Sequence, residues 1–356
     1  MNRALALFLT LLWCGHGFAQ DVIALSVPKS GRFAVLGQEL EFGAQMAIED
    51  EVKRGRERPE LRIIDDACDA ERVSADVAAL REAGVRIVVG APCFAPAYAL
   101  VRGLNAGVER RVPVVSLGIR HVEAARPVEE GLPFFVLGPD ADAEADAIAS
   151  LVLGEWRDKP FALLDDGSVQ ARALTDRLRE KSDLIGLRPV QNVTYRPLQS
   201  NQIALLRRLA RSGVRAIFVA GEPEDIATIS FDADRMNFDL EVAAGEAAEL
   251  SPLIEDAPPV AAGTLAVFRD RPTEQPSAKL LLELLSSRNV PESDALVLGY
   301  AIAQIAMDAS ASAEALATQT FETVIGPVAF GSDQRADVLP FRLRRWDGEA
   351  FQTVEK

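Results

Sequence analysis

The sequence predicts an α/β protein built as two doubly wound parallel-sheet lobes joined by three hinge crossovers. Three observations carry that prediction. Short apolar runs bounded by Gly, Pro or Asp alternate with stretches of helical periodicity over nearly the whole chain, a rhythm that builds parallel sheets covered by helices on both faces. The chain has 356 residues, about twice a usual domain, so two cores are expected rather than one. Two late amphipathic segments, Ser277 to Ser287 and Asp294 to Ser310, have the pattern of helices packing back on the first core, so the chain must cross between lobes repeatedly.

Before the first strand lies a leader. Residues 1–19 carry one charged side chain, Arg3, then an apolar run from Ala4 to Trp13 and small residues at Gly17 and Ala19. This is the pattern of a secretory signal cleaved after Ala19, its apolar run too short to span a bilayer. Lipoprotein processing at Cys14 is the other reading, but Trp13 stands where a small residue is wanted. Cleavage removes Cys14 and one positive charge, so the net charge goes from −15 to −15 − 1 = −16 and Cys68 and Cys93 remain as a pair. An exported chain with two such cysteines fits an oxidising compartment.

The first strand is Val22 to Val27, ending at Pro28-Lys29-Ser30-Gly31. A helix from Gln38 to Val52 follows, with Leu40, Phe42, Ala44, Met46 and Ala47 as its buried stripe. Leu61 to Ile64 and Val85 to Val89 are strands around a helix from Ala70 to Gly84. In such a unit the crossover is right-handed and both strands end on one edge of the sheet. Cys68 and Cys93, 93 − 68 = 25 residues apart, stand just beyond those ends, where a bridge is sterically possible, and they are predicted to be bonded. Closing such a loop stabilises by roughly 3 to 4 kcal/mol. A helix near Pro96 to Ala106 and strands Val112 to Ser116 and Phe134 to Leu137 complete the lobe, and Gly138-Pro139-Asp140 makes the first crossing.

The second lobe repeats the rhythm with helix Ala141 to Trp156, strand Phe161 to Leu164, helix Val169 to Leu184 and strand Val190 to Tyr195. Helix Asn201 to Ser212, strand Ala216 to Ala220 and helix Glu224 to Met236 follow. Gly263 to Phe268 is a strand crossing back, and Thr323 to Val328 is read as the third crossing. Leu339 to Trp346 and Phe351 to Val354 flank Asp347-Gly348, whose positive φ angles suit a tight hairpin. The expected lobes are therefore 20–137 with 268–325, and 138–267 with 326–356.

The acidic balance excludes nucleic acid and anionic membrane surfaces as partners, since both need clustered Lys and Arg. A nucleophilic triad lacks material, because the mature chain has one histidine, His121, and no Gly-x-Ser-x-Gly elbow. Phosphate and dinucleotide loops are absent, and Cys and His are too few for a metal centre, so no cofactor, metal or catalytic residue is expected. A carboxylate pair of the glycosidase kind stays open on sequence, because such a pair is defined by geometry. In open parallel sheets ligands bind beyond the carboxyl ends of the strands. Those ends are the loops 28–37, 91–96 and 117–121 in the first lobe, and 165–169, 221–224 and 245–247 in the second.

Ser-Gly-Arg-Phe-Ala-Val-Leu-Gly at 30–37, Asp-Asp-Ala-Cys-Asp at 65–69, Cys93, Ser116-Leu117-Gly118 and Thr-Val-Ile-Gly-Pro-Val at 323–328 resemble the leucine/isoleucine/valine-binding proteins. These are the periplasmic receptors of branched-chain amino acid ABC transporters. The likeness runs over nearly the whole mature chain. It implies the two-lobed, three-hinge fold of type I periplasmic binding proteins, a monomer closing on a small solute and recognised by an ABC permease, and it supports the disulfide independently.

The ligand set departs from that family. The segment after the second cysteine offers relatives' serines to the ligand carboxylate, and here it reads Phe94-Ala95-Pro96-Ala97. The next family segment appears as Ser116-Leu117-Gly118-Ile119-Arg120, where Arg120 would offer a bidentate fork to a carboxylate and repel an ammonium. Glu246 falls where relatives carry the acid that pairs with the ammonium, while aromatic residues expected near 169 and 297 are Val169 and Val297. The candidate ligand-binding residues are thus Arg120, Ser116, Gly118, Ile119, Phe94, Glu246, Leu36, Glu222 and His121. Each has a plainer alternative: a solvated or paired charge for Arg120, Glu222 and Glu246, a hydrogen-bonded loop residue for His121, a strand-end cap for Ser116, packing for Phe94 and Leu36. Asp65, Asp66 and Asp69 are better read as the cap of the following helix than as a cation site. A periplasmic sensor that reports ligand occupancy without transport shares this architecture and is the competing function.

Overall fold

The computed structural model describes residues 21–109, 111–118, 125–308 and 312–354. The first lobe opens with β1 (Val22–Val27), α1 (Ala34–Lys53), β2 (Glu60–Asp65), α2 (Ala70–Glu82), β3 (Ile87–Gly90) and α3 (Phe94–Asn105). It continues through β4 (Val114–Leu117), the short α4 (Arg126–Glu129) and β5 (Phe134–Leu137). The chain then enters the second lobe with α5 (Ala143–Ile148), which runs into a π-helical turn at Ala149–Leu153, followed by β6 (Phe161–Asp165), α6 (Val169–Leu184) and β7 (Gln191–Thr194). α7 (Ile203–Arg211), β8 (Ala216–Ala220), α8 (Pro223–Arg235), β9 (Glu241–Ala244), a 3-10 stretch Glu246–Leu253 and β10 (Leu265–Arg269) complete that pass. The return builds α9 (Lys279–Ser287), α10 (Asp294–Met307), α11 (Ala313–Thr318), β11 (Thr320–Thr323), β12 (Gly326–Ala329) and β13 (Arg335–Ala336), and the tail adds β14 (Phe341–Trp346) and β15 (Phe351–Thr353).

The first sheet has the order β13-β5-β4-β3-β1-β2 with every pair parallel. The second has the order β15-β14-β10-β9-β8-β6-β7, parallel except where the tail strands run antiparallel to β10 and to each other. Each sheet carries a core on both faces, as doubly wound sheets must. The inner strands β1, β3, β4 and β5 are buried along their whole length for that reason, whereas the edge strand β2 is largely open on one side. α10 is buried almost all round, and its contact with α1 is close enough that a Cβ on Gly43 would collide with the Leu296 carbonyl and one on Gly299 with the Leu40 carbonyl. Only glycine permits that approach.

The crossings fall differently from the expected boundaries. β10 stays in the second sheet to Arg269, so the second crossing begins at Asp270 rather than 268. Thr323 to Val328 is no crossing: Thr323 and Gly326 pair across the β11–β12 hairpin, and Val328, Phe330 and Ala336 are buried in the first lobe's core. The third crossing follows β13, at 337–340. Apolar alternation marks a strand but not which sheet it joins, which is how the hairpin passed for a bridge. Phe42 also departs from its assigned stripe, being 41% exposed.

The crossings are laced together. Gly138 N donates to Ala336 O at 2.8 Å, Arg335 Nη1 to Pro139 O at 3.0 Å, and Asp270 N to Pro340 O at 3.0 Å. Buried Arg344 lies over the Phe268 ring and donates to Asp270 Oδ1 at 3.0 Å and Glu274 Oε2 at 3.3 Å, fixing the second crossing to the tail. Cys68 and Cys93 are joined, with their Cα atoms 5.3 Å apart.

Candidate functional site

The strand ends of both sheets meet at a cavity of about 360 Å³ between the lobes. Leu36 and Leu40 of α1, Pro92 after β3, Leu117 and Gly118 at the end of β4 and Leu298 of α10 form its first-lobe wall. Glu246 and Glu249 on the 3-10 stretch after β9 form the second-lobe wall. All three crossings contribute, through Leu137–Gly138, Arg269–Pro272 and Ala336–Leu339. The location follows from topology, since parallel strands deliver their loops to one edge of each sheet and the two edges face each other.

The first-lobe wall is mostly apolar and the opposite side is charged. Arg269 Nε donates to Glu246 Oε1 at 3.1 Å, and the Glu246 amide donates to Glu144 Oε1 at 2.9 Å, so that acid is held from two elements. Arg271 Nε donates to Asp294 Oδ2 at 2.8 Å and stands 3.8 Å from Glu249 Oε1, bridging the second-lobe wall to the N-terminus of α10. Asp294 Oδ1 also accepts the amide and hydroxyl of Thr273. Asp270 is held by Arg342 and Arg344. Burial pushes the Glu249 carboxyl above its ordinary range, with Arg271 opposing, while the bond to Asp294 raises the Arg271 guanidinium. Asp337, on the third crossing, is also pushed up by desolvation, opposed by Arg269 and by a bond from the Leu339 amide.

Of the residues expected from sequence, Leu36, Gly118 and Glu246 line this cavity. Ile119, Arg120 and His121 lie outside the described residues. Ser116 is fully buried and its Oγ donates to Ala91 O at 2.6 Å, so it ties β4 to the loop after β3. Phe94 stacks on Tyr98 with ring centroids 5.6 Å apart and lines a depression with Ala70 and Ser74, between α2 and α3. Glu222 is an exposed residue at the start of α8, away from the cavity lining. The two positions without aromatics also resolve: Val169 is 84% exposed, and Val297 is buried in the core while its neighbour Leu298 faces the cavity. Arg271 and Asp337 were missed because crossing segments have no periodicity to mark them, and Arg269 and Asp294 because they stand at the ends of β10 and α10, where nothing in the pattern separates a cleft charge from a strand end or a helix start. The Arg-Asp-Arg-Pro run at 269–272, charged directly after an apolar strand, was the one available signal.

The acids near the disulfide serve local structure. Asp69 Oδ1 accepts the Glu71 amide at 2.8 Å and caps α2, while Asp65 accepts from the Lys29 amide at 2.8 Å and pairs with Arg72 at 2.7 Å. Among the described residues no group of His, Cys, Asp or Glu could hold a metal ion, and no helix is long and apolar enough to cross a membrane.

A family model described as periplasmic binding protein matches residues 22–350. The leucine-, isoleucine-, valine-, threonine- and alanine-binding protein of Pseudomonas aeruginosa is 25% identical over 378 aligned positions, covering 100% of this chain and 98% of that one. Among solved structures, the branched-chain amino acid substrate-binding protein LivJ of Streptococcus pneumoniae, in complex with isoleucine, superposes with a TM-score of 0.64 at 18% identity, covering 95% of this chain and all of that one. A solute-binding protein of an ABC transporter from R. palustris, in complex with 4-hydroxybenzoate, gives 0.65 at 14% identity, covering 94% of this chain and 96% of that one.

Proposed function

Because the chain belongs to the periplasmic binding protein family that includes the Leu/Ile/Val-binding proteins, we propose that it is the solute receptor of an ABC importer, capturing a small carboxylate-bearing solute by closing its lobes. The observation that carries the reading is the cavity bounded by both sheet rims and all three crossings. A solute that touches both walls favours the closed arrangement by its differential affinity for it. Its size suits an amino acid or a small acid. Isoleucine and 4-hydroxybenzoate, the ligands of the two solved relatives, share a carboxylate, which supports that group as the common handle.

Arg120, following Gly118, is proposed to hold the carboxylate through its guanidinium fork. Ile119 and His121 flank it in sequence, and Leu36 and Gly118 supply wall. The protein is read as an exported periplasmic monomer that docks on permease subunits and catalyses nothing. Thermal-shift screening of the mature protein against amino acids, amides and small acids tests the receptor role, because a ligand bound only by the folded form raises the melting temperature. With the hit identified, Arg120→Ala is expected to weaken binding at least tenfold in calorimetry; unchanged affinity removes Arg120 from the site.

A further inference from the structure

The charges facing the cavity do not balance. Apart from Asp270, which Arg342 and Arg344 hold, the described residues of its lining carry Glu246, Glu249, Asp294 and Asp337 against Arg269 and Arg271, and Arg120, proposed above for the solute carboxylate, is a separate cation. Both guanidiniums are committed: Arg269 to Glu246 at 3.1 Å, Arg271 to Asp294 at 2.8 Å with Glu249 at 3.8 Å. Asp337 is open to solvent and has no ion-pair partner among the described residues.

The rest of the second-lobe rim has the same sign. β6 ends in Asp165-Asp166 and β8 in Gly221-Glu222, on the edge that also bears Glu246, and the cation beside them is Arg172, 3.7 Å from Asp165. Behind this rim and outside the cavity lining, two buried polar groups are unmet among the described residues. Tyr195 is 5% exposed and Asp225 is 1% exposed, yet Tyr195 Oη and Asp225 Oδ2 have no hydrogen-bond partner among the described residues. The Tyr195 hydroxyl abuts Gly221 beside Asp166, at the heart of the acidic edge.

We propose that the cleft selects a solute bearing a protonated nitrogen beyond any α-ammonium, an amine, amidinium or guanidinium held by Asp337 and Glu249, so that basic amino acids or their amines are preferred to branched-chain ones. The inference deepens the receptor reading and rests on it. A neutral side chain would leave these acids facing each other as the lobes close over them, whereas a cation supplies the missing charge. A second carboxylate would meet repulsion from the whole rim. A guanidinium also matches the planar geometry of carboxylates better than an ammonium does.

The experiment is calorimetry on the mature protein with four probes: L-arginine, agmatine, L-leucine and 4-hydroxybenzoate. L-arginine is expected to bind at least tenfold more tightly than L-leucine, and Asp337→Asn to weaken L-arginine at least tenfold with an unchanged melting temperature, Asp337 being solvent-exposed. Glu249→Gln provides a second variant, from the second-lobe wall. Tighter binding of leucine or 4-hydroxybenzoate than of either cationic probe overturns the charge selection and leaves the receptor reading standing. Silence of both cationic probes overturns it as well, and the wider thermal-shift panel then decides the receptor reading separately. Arginine affinity unchanged in both variants also overturns it.

Discussion

The first-lobe rim is tied down group by group, whereas behind the second-lobe rim two buried polar atoms have no partner among the described residues. In the first, Ser26 Oγ donates to Asp66 Oδ2 at 2.8 Å, the Cys68 amide to Asp66 Oδ1 at 2.9 Å, the Ala91 amide to Ser26 O at 2.6 Å, and Ser116 Oγ to Ala91 O at 2.6 Å. The disulfide closes the same circuit. That circuit holds Ala67, Cys68 and Ala91 at positive φ of 45°, 59° and 41°, a conformation costing side-chain-bearing residues on the order of 1 kcal/mol each. In the second rim, Tyr195 and Asp225 are just as buried but less satisfied. A wall fixed before ligand arrives loses little order on binding, and the charged lining of the opposite side, Glu246, Glu249, Arg269 and Arg271, is what a polar solute meets. The difference teaches that the two halves of one cleft divide the work: shape on the first side, charge on the second.

The largest effect that would break this contrast is loss of the bridge. Cys68→Ser with Cys93→Ser is expected to lower unfolding free energy by about 3 kcal/mol for a loop of this length, measured by denaturant titration. A negligible change would show that the hydrogen-bond circuit alone fixes the rim. Gly221→Ala comes next, because the new methyl would occupy the place of the Tyr195 hydroxyl; overpacking of this kind costs roughly 1–3 kcal/mol. A lowered melting point is the expected result, and an unchanged one would mean that Tyr195 swings away freely.

The smallest effect is in pH dependence. Burial, reinforced by Asp166, Glu224 and Glu222, raises the Asp225 carboxyl in the folded protein, the bond from the Leu198 amide opposing. The folded state therefore holds this proton to higher pH than the unfolded chain, and Asp225 costs stability as pH rises from about 3.9 through its raised folded value. Asp225→Asn removes that cost while keeping an acceptor for Leu198. Its stability relative to the parent protein should improve from pH 4 to pH 7 in paired denaturant melts, and a flat difference would mean that Asp225 is not perturbed. Burial raises Asp66 in the first rim too, with the bonds from the Cys68 amide and the Ser26 hydroxyl opposing.

Much of this was legible in the chain. Val22–Val27 and Phe134–Leu137 coincide with their expected limits because strands buried on both faces are nearly all apolar, Ser26 being the one polar residue of the two. The cysteine pair was placed by the handedness of one βαβ unit. Leu36, Gly118 and Glu246 lie in the loops that the strand-end rule marks, and the resemblance to the Leu/Ile/Val-binding proteins is what singled out Gly118 and Glu246 within them. The third crossing was misplaced because Ile325-Gly326-Pro327 is extended and apolar whether it bridges lobes or turns a hairpin. Asp337 and Arg271 were invisible for a related reason: their position depends on where the chain crosses, which is settled by pairing far along the sequence.

The glycine contact between α1 and α10 bears on how such a cleft can adapt. With backbone resting on backbone, these helices form one stiff plate, and Leu36, Leu40 and Leu298 are mounted on it at fixed spacing. The plate has no slack with which to breathe around a bulkier guest. Accommodation of a different solute must come from trimming the side chains on the plate or from how far the opposite jaw travels.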